Sequence, residues 1–578
     1  MITEYNTRSK IVWKNNVDYP SWMVEESLQT LDSDYLLPGE TPRTGMERVA
    51  RRAAELLDMP RLKEPLFESL WKGWICLSTP IWCNFGATRA LPISCFGSHI
   101  VDSLDGIYST LKENAIMTQK GGGTSSYWGS IRDEGDIIHT NGGVASGPFS
   151  FTPMYDTTMA KVTQGKTRRG SHASYQEFNS PSFWEWIKFK DVGSPVTELF
   201  PAICLQEQDE KDIINGNPEA LKRWAALLDA RTRTGLPYIF SAKNANKGKT
   251  TPPWYGEDSK YGIRHTNLCT EIMLPDSGKE SFVCCLASMN LAKWDEWKDT
   301  KAVRGAIYLL EAVMMEFIDK TEGNKTMAKS RNFAINHRAL GLGVLGWHTF
   351  LQSKNQPFTG IYANSMTRLM MSNIKQKSER ASEKLAEFYG NCPVVESYNK
   401  EKGMNVKRRH TTLLAIAPTT SNAAIMGGVS AGIEPWVSNV FFKNLAKGKF
   451  LSVNPYLKEL LASKGKDTTE IWDSIKDAGG SVQHLEFLLD EEKEVFLTFG
   501  EINQFDLVKQ AALRQDYLDQ GQSLNIKIHP ATNPKNVSLL YLMGLQLGIK
   551  AFYYQRSENV LRAGLNTMDA EACASCAG

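Results

Sequence analysis

Asn267-Leu268-Cys269-Thr270-Glu271 places three side chains that could hold, attack and deprotonate a small polar substrate at every second residue. In an extended segment alternate side chains point to the same side, with neighbours about 7 Å apart, and they come closer if the segment curls into a loop. Asn267, Cys269 and Glu271 would then form one polar row of about the width of a sugar. The alternative is an edge strand that happens to carry a cysteine, and the segment alone does not decide between the two.

Pro418-Thr419-Thr420-Ser421-Asn422 is a second segment with chemical potential, because it follows the apolar run 413–417 and precedes a predicted helix. Hydroxyl groups and free backbone N–H groups at a helix entrance favour phosphate binding. An ordinary helix N-cap is the alternative, and it is equally open.

Residues 119–124 and 163–170 are predicted to be flexible loops that contain glycine and basic residues. Neither matches the spacing GxxxxGK(S/T) or GxGxxG, which disfavours kinase-type phosphoryl transfer and Rossmann dinucleotide binding. What remains is a pair of loops able to approach a polyphosphate or a base, against the alternative of plain surface loops.

Tyr553 and Tyr554 end an apolar run that is predicted to form a buried strand. Neighbouring side chains of a strand point to opposite faces, so one phenol could meet an active site while the other faces elsewhere. Packing is the commoner reason for such a pair, and an electron conduit is the alternative.

Ten cysteines in 578 residues are too sparse for a disulfide scaffold, and a reducing compartment would keep them as thiols available for chemistry. Only the pair near the end has the two-residue spacing that zinc ligands show, so no metal site is predicted. That pair lies in a tail of small residues and is interpreted as a mobile dithiol. The cysteines are Cys76, Cys83, Cys95, Cys204, Cys269, Cys284, Cys285, Cys392, Cys573 and Cys576.

Composition narrows the class of protein. With 66 basic and 64 acidic residues the chain has no broad cationic surface, which argues against a protein that mainly binds nucleic acid. The first residues lack the pattern of a signal peptide, and no run of eighteen apolar residues occurs. We therefore expect a cytoplasmic globular protein without direct contact to membrane or nucleic acid.

The order of patterns predicts three regions. Residues 1–75 read as a small helical domain, because strong helix formers follow the turn signal at 38–42. In residues 76–555 short apolar runs alternate with helical patterns, which is typical of an α/β barrel or a layered sheet. Residues near 455 to 525 read as exposed amphipathic helices, interpreted as an insertion away from any site. Residues 556–578 form the tail.

Taken together, these segments resemble the large, catalytic subunit of ribonucleotide reductase over roughly residues 30 to 578. The resemblance is carried by Cys95, the 267–271 segment, Cys284 and the terminal cysteine pair in that order, and by Leu77-Ser78-Thr79-Pro80, Arg338-Ala339-Leu340-Gly341-Leu342-Gly343 and Gly432-Ile433-Glu434-Pro435. It implies an α/β fold of ten strands closed into a barrel, with the Cys269 loop as a finger threaded through its centre.

The resemblance also implies the chemistry. Cys269 would become a thiyl radical that removes the 3′ hydrogen of a ribonucleotide, Glu271 would take the 3′-hydroxyl proton, and Asn267 would hydrogen-bond the sugar hydroxyls. The 2′-hydroxyl would leave as water, because a radical at C3′ weakens the neighbouring C2′–O bond. Cys95 and Cys284 would return two electrons and end as a disulfide. Cys573 and Cys576 would reduce that disulfide by thiol exchange and then be reduced by thioredoxin or glutaredoxin.

Binding residues follow from the same resemblance. Substrate phosphate and ribose are assigned to Thr79, Ser94, Pro418, Thr419, Thr420, Ser421 and Asn422. An allosteric specificity site, where a deoxynucleoside triphosphate or ATP binds at a homodimer interface, is assigned to Asp102, Ser103, Arg132, Gln164 and Arg168.

The tyrosine pair favours class I, in which such a dyad carries the radical from a separate small subunit with a dinuclear metal cofactor. The chain itself would then hold no cofactor and no metal, and class I resemblance favours diphosphate substrates. An adenosylcobalamin-dependent class II enzyme is the alternative, and a catalytically silent regulatory subunit is another. The glycyl-radical class III is disfavoured, since no glycyl-radical motif lies near the C-terminus.

The motif at 77–80 comes too early to follow an N-terminal ATP cone, so we expect no cone and no overall inhibition by dATP. Such a short chain would suit a virus-borne enzyme acting in the host cytoplasm.

Overall fold

The computed structural model describes residues 13–33, 35–88, 90–138, 142–164, 168–256, 259–445, 448–529 and 531–557. The helices are α1 Glu25–Asp32, α2 Pro42–Leu56, α3 Lys63–Trp71, α4 Thr79–Asn84, α5 Leu104–Gln119, α6 Thr152–Lys161, α7 Phe183–Trp186, α8 Glu207–Ile214, α9 Pro218–Thr234, α10 Ala242–Lys247, α11 Trp294–Trp297, α12 Ala302–Lys320, α13 Ala328–His337, α14 Trp347–Ser353, α15 Ile361–Tyr389, α16 Pro393–Lys402, α17 Thr420–Ile425, α18 Pro455–Ser463, α19 Thr469–Asp477, α20 Asp490–Val495, α21 Gln504–Gln515 and α22 Pro534–Gln546.

The strands are β1 Ile75–Leu77, β2 Cys95–His99, β3 Gly123–Tyr127, β4 Ile137–Ile138, β5 Gly143–Val144, β6 Thr163–Gln164, β7 Arg168–Arg169, β8 His172–Glu177, β9 Phe200–Leu205, β10 Tyr238–Ser241, β11 Phe282–Asn290, β12 Leu340–Leu345, β13 Val440–Leu445, β14 Gly448–Val453, β15 Ile526–Ile528, β16 Ala551–Phe552 and β17 Gln555–Ser557.

The leading helices form because local signals and burial agree. Helix α2 begins after Thr41, whose side chain forms a capping box with Thr44, and Pro42 occupies its first turn. Its face at Met46, Val49, Ala50 and Ala53 is buried, at the spacing expected of an amphipathic helix. The helical character of this region agrees with the sequence pattern, while a domain boundary at residue 75 stays a prediction.

The main sheet is built from buried strands in the order β1-β11-β2-β3-β8-β9-β10-β16, with β12 beside β11. Strands β2, β3, β8, β9 and β10 run parallel to one another, whereas β11 is antiparallel to β2. Helices cover the sheet, and its strands are therefore almost wholly buried.

Two irregular segments, 412–416 and 520–525, close this sheet into a barrel. Leu342 donates to the oxygen of Leu413 at 2.7 Å, and Ile416 donates to the oxygen of Gly521 at 3.0 Å. Tyr553, directly after β16, donates to the oxygen of Leu524 at 2.9 Å. The ring therefore runs from β12 through 412–416 and 520–525 to β16. With β2, β3, β8, β9, β10 and β11 this gives ten strands, and the predicted ten-stranded α/β barrel is confirmed.

The segment 119–124 is not the flexible loop that its glycines predicted. Gly123 begins β3, which lies in the barrel wall with Cys95 opposite Gly123 in register. A Cβ at Gly122 would lie 2.3 Å from the ring of Phe96, so the glycine is required by close packing.

Helices α18, α19 and α20 form a small satellite with their own core, built from residues such as Leu457, Leu461, Trp472 and Ile475. Within the described ranges, none of the helices combines the length and the apolarity that crossing a bilayer demands.

Candidate active site

The 267–271 segment is a turn inside the barrel, so the edge-strand interpretation is wrong. Thr270 donates to the oxygen of Asn267 at 3.2 Å and has a φ of 67°, which an extended strand does not allow. Asn267, Cys269 and Glu271 are at most 2% exposed. A left-handed residue that is not glycine is held only where its surroundings enforce it, which is common at functional sites.

The loop is held by the wall segment 520–523. Ser523 Oγ donates to the backbone oxygen of Cys269 and lies 3.3 Å from a carboxylate oxygen of Glu271. Gly521 N donates to the Glu271 oxygen at 2.8 Å, and a Cβ at Gly521 would lie 2.7 Å from Met273. The prediction that residues near 455 to 525 lie away from any site is therefore wrong at their C-terminal end, because the barrel needs a wall strand there.

Cys95 and Cys284 lie directly opposite each other on antiparallel strands β2 and β11. Cβ atoms of such a pair are about 5 Å apart, so a small adjustment would allow a disulfide. Cys285 faces the other way, and its Sγ lies 3.5 Å from the oxygen of Leu310 on α12. Asn267 joins the thiol pair to the loop, because its Nδ2 lies 3.3 Å from Cys95 Sγ.

Burial controls the electrostatics of these groups. Burial raises the pKa of Glu271 to about 7, although hydrogen bonds from Asn267 and Ser523 oppose it. Burial, and then the nearby Cys95 and Glu271, raise the pKa of the Cys284 thiol well above its ordinary value. Cys284 therefore stays a protonated thiol, which suits a donor of hydrogen and electrons better than a thiolate nucleophile.

Several buried oxygens of the loop and of the segments at 78, 94 and 422 find no hydrogen-bond partner among the described residues. Buried polar groups normally have partners, so a set of such atoms marks a place for a polar ligand. They belong to the loop itself, to the residue before Cys95, to the residue before α4 and to α17. The atoms are Thr270 Oγ1, Glu271 Oε1, Ser94 Oγ, Ser78 Oγ and Asn422 Oδ1.

The turn at 418–422 leads into α17 as expected, while phosphate binding there stays a prediction. Thr419 is the N-cap of α17 with a φ of 52°, and its Oγ1 accepts from the N–H of Gly432 at 2.8 Å. That hydroxyl ties the start of α17 to the neighbouring turn at Gly432. Thr79 is buried at the start of α4 and donates to the hydroxyl of Tyr35 at 3.2 Å. Pro418, Thr420 and Ser421 flank these positions.

Tyr553 and Tyr554 follow β16 directly, and their rings contact each other instead of pointing to opposite faces. The rings of Tyr553 and Tyr554 lie 4.3 Å apart between centroids, at 56°. Tyr238 on β10 completes a cluster, at 4.9 Å from Tyr553 and 5.2 Å from Tyr554.

Segment 523–525 links this aromatic cluster to the loop. Leu524 accepts from the N–H of Tyr553, and Asn525 Oδ1 accepts from the N–H of Tyr554 at 3.1 Å. Ser523 on the same segment contacts Cys269. The backbones of both tyrosines and of Cys269 are thus held by one segment.

The residues assigned to an allosteric site fall into two groups around α5. Asp102 and Arg132 form an ion pair of 2.9 Å in which each side chain is about one-third exposed. Ser103 caps α5 by accepting from the N–H of Gly106. Gln164 and Arg168 are opposite each other in the hairpin β6–β7, and β6 lies against α5.

Cys573 and Cys576, and residues 165–167 between the hairpin strands, lie outside the described residues.

Four residues of the candidate site were not predicted from the sequence. Ser78 stands beside Thr79 in a motif and could have been found there. Tyr175, whose hydroxyl donates to the oxygen of Asn267 at 2.9 Å, has no such signal. Ser523 and Tyr238 join the site only through tertiary packing, far along the chain from Cys269.

Comparison with known proteins agrees with this geometry. A family model described as the barrel domain of ribonucleotide reductase matches residues 93–208, 205–408 and 400–555. The putative ribonucleoside-diphosphate reductase large subunit of Frog virus 3 (isolate Goorha) is 32% identical, over 90% of this chain and 93% of that protein. The ribonucleoside-diphosphate reductase large subunit of Invertebrate iridescent virus 3 is 28% identical, over 92% and 94%.

A solved structure of the Actinobacillus ureae class Id ribonucleotide reductase alpha subunit is also similar. It superposes with a TM-score of 0.86 at 41% identity, covering 93% of this chain and 98% of that one.

Proposed function

The chain belongs to the family of ribonucleotide reductase large subunits, and from that premise we propose that Cys269, Glu271 and Asn267 form its radical site. It is a class I ribonucleoside-diphosphate reductase large subunit, and the similarity to a class Id alpha subunit favours this over the cobalamin-dependent alternative. The observation that carries the proposed site is the buried Cys269 loop facing the opposed thiols of Cys95 and Cys284.

In the proposed reaction, a Cys269 thiyl radical takes the hydrogen atom from C3′ of the ribose. Glu271 accepts the 3′-hydroxyl proton, which assists loss of the 2′-hydroxyl as water. Cys95 and Cys284 supply two electrons and two protons, so that the alcohol and two thiols become the deoxy sugar, water and a disulfide. The thiol of Cys269 then returns its hydrogen to C3′, and the radical is conserved.

Exclusion of water protects this chemistry. A radical beside an exposed thiol or bulk solvent would be quenched, whereas the loop, the thiol pair and Ser523 are all buried. Ser94, Ser78 and Asn422 offer the unpaired oxygens that could orient ribose and phosphate.

A silent regulatory role is a poor fit to the same geometry. Such a subunit has no chemical need for opposed thiols, a buried carboxylic acid and a strained cysteine loop placed together inside the barrel. All of these are present.

The partners follow from the class. A large subunit of this class works with a small subunit, and we assign to that subunit the dinuclear metal and radical cofactor that starts the reaction. Tyr553 and Tyr554 are the proposed route for the radical into this chain, and thioredoxin or glutaredoxin is the proposed reductant through Cys573 and Cys576. Asp102, Ser103, Arg132, Gln164 and Arg168 are proposed to bind a deoxynucleoside triphosphate or ATP in a homodimer.

The direct test is reduction of CDP by the full chain. We expect dCDP only when the chain is mixed with the small subunit from the same source and a dithiol reductant. Product formed by the chain alone with adenosylcobalamin would contradict the proposed partner.

The pKa of Glu271 predicts the pH dependence. A base must be ionised, and the ionised fraction rises through a pKa of about 7, so turnover should rise with pH and be half-maximal near pH 7. Glu271→Gln should abolish this acid limb and lower turnover by about 10²–10³-fold. The measurement is dCDP formation between pH 5.5 and 8.5, at saturating substrate.

Glu113 provides a matched control, because burial also raises its pKa to about 7 on α5. Glu113→Gln should leave the acid limb in place. An acid limb that persists in Glu271→Gln would refute the assignment of Glu271 as the base.

A further inference from the structure

The two ends of the Cys269 loop meet at a buried ion pair. His265 Nε2 lies 2.8 Å from Asp276 Oδ2, and both side chains are fully shielded from solvent. Arg264 reinforces the contact, because its Nη1 donates to the backbone oxygen of Asp276 at 2.8 Å. Residues 266–275, which include Cys269, are therefore closed into a loop whose neck is His265, Asp276 and Arg264.

The hydrogen bonds of His265 require both ring nitrogens to donate. Nδ1 lies 2.9 Å from the carbonyl oxygen of Thr266, and Nε2 faces a carboxylate oxygen of Asp276. Both partners are acceptors, so the ring bridges the Thr266 carbonyl and the Asp276 carboxylate through its two nitrogens. Burial would raise the pKa of Asp276, but the charge and hydrogen bond of His265 outweigh it and hold that pKa below its usual range.

Aromatic rings surround the His265 side chain. Phe282, Tyr175 and Tyr127 lie 5.1, 5.4 and 6.2 Å from the His265 ring centroid. Such rings stabilise a positive charge that has lost its water. Burial, and then the charge of His265, lower the pKa of His172 to about 3, so this neighbour stays neutral.

His99, at the end of β2, is another titratable neighbour of the neck. Burial lowers the pKa of His99, although the charge of Asp276 opposes it. The neck therefore contains the buried His265 ring facing the buried carboxylate of Asp276, with the guanidinium of Arg264 at its edge.

The neck is connected to the thiols through Asn267. Thr266 Oγ1 donates to Asn267 Oδ1 at 3.1 Å, and Tyr175 donates to the Asn267 backbone oxygen. Asn267 Nδ2 in turn contacts Cys95 Sγ. A displacement of the neck would be transmitted to both the loop and the thiol pair.

We propose that the His265–Asp276 pair is a positioning device that latches the neck of the Cys269 loop and keeps the thiol buried and aligned with Cys95 and Cys284. Its effect on turnover depends on the proposed function, whereas its effect on the burial of Cys269 does not. Removing one partner leaves a buried charge without compensation, whereas removing both does not. The two residues should therefore be strongly coupled in a double-mutant cycle.

The test compares Asp276→Asn, His265→Gln, the double variant and Asp276→Glu in the full chain. Alkylation of Cys269 by iodoacetamide is followed by peptide mass spectrometry, beside kcat, KM and thermal melting. In each neutralising single variant we expect alkylation to rise about tenfold or more and kcat to fall about 10–100-fold, with KM within about threefold. The double variant and the charge-conserving Asp276→Glu should recover part of the loss in both readouts.

The matched control is another buried histidine pair, in which His337 Nε2 lies 3.4 Å from Glu280 Oε2. Glu280→Gln should lower the melting temperature without changing Cys269 alkylation or kcat. Native alkylation rates in both neutralising single variants would contradict the proposed role of the His265–Asp276 pair, even if their melting temperatures fall. If Asp276→Asn does not fold, His265→Gln decides, because it keeps one donor toward Asp276. If the native chain shows no reductase activity, the proposed function fails while alkylation still tests the latch.

Discussion

Cys269→Ser should abolish dCDP formation, with a loss of at least about 10⁴-fold, while CDP binding stays within about threefold. The serine hydroxyl has nearly the shape of the thiol, so the loop and its contacts to Ser523 should persist. An O–H bond is much stronger than an S–H bond, and the variant therefore cannot form the radical that takes hydrogen from C3′. The measurements are product formation with the small subunit and equilibrium binding of CDP.

Cys285→Ser is the control for this substitution. Cys285 is buried on the same strand as Cys284, but its side chain faces α12 instead of the barrel interior. The control should lose some stability and keep turnover within about twofold. Residual turnover above about 1% of native in Cys269→Ser would remove Cys269 from the mechanism.

The chemistry-bearing segment could be predicted from sequence because its information is local. Asn267, Cys269 and Glu271 lie within five residues, and either an extended or a curled backbone brings their side chains together. The barrel followed from alternating apolar runs and helical patterns, aided by the family resemblance. The turn at Thr270 was beyond local reasoning, since threonine does not favour a positive φ.

The remaining parts of the site depend on long-range packing. The barrel closes through segments 412–416 and 520–525, whose pairing is too short and irregular for a strand signal. Ser523 therefore appeared to belong to an exposed helical insertion. Tyr238 contacts Tyr553 only because β10 pairs with β16, and no spacing in the chain indicates that pairing.

Burial of Cys284 and Glu271 supports the proposed radical chemistry over nucleophilic attack. A nucleophilic cysteine needs a lowered thiol pKa, and burial has the opposite effect on Cys284. The carboxyl group of Glu271 has a pKa near 7 and can gain or lose a proton at little cost. In the proposed reaction, Glu271 and the thiols therefore exchange protons and hydrogen atoms with the substrate without a buried thiolate at Cys284.

Tyr553→Phe and Tyr554→Phe should each reduce turnover by about 10³-fold or more, with small-subunit and CDP binding unchanged. Phenylalanine keeps the ring and the stacking at 4.3 Å, but it lacks the hydroxyl hydrogen whose loss makes a tyrosyl radical accessible. Segment 523–525 contacts the tyrosines and Cys269 through their backbone groups, which the substitutions do not change. The loop should therefore stay in place. Product formation and Cys269 alkylation are both measured. Lost turnover with a native alkylation rate indicates a blocked radical relay, whereas a raised alkylation rate indicates a displaced loop.

Tyr155→Phe is the matched control, since this fully buried tyrosine donates to the oxygen of Ile107 on helix α5. Losing that bond should cost about 1 kcal/mol of stability and leave turnover within about twofold. Native turnover in both Tyr553→Phe and Tyr554→Phe would mean that the radical reaches Cys269 without these phenols. The aromatic cluster would then serve packing alone, and the route from the small subunit would have to enter the barrel elsewhere.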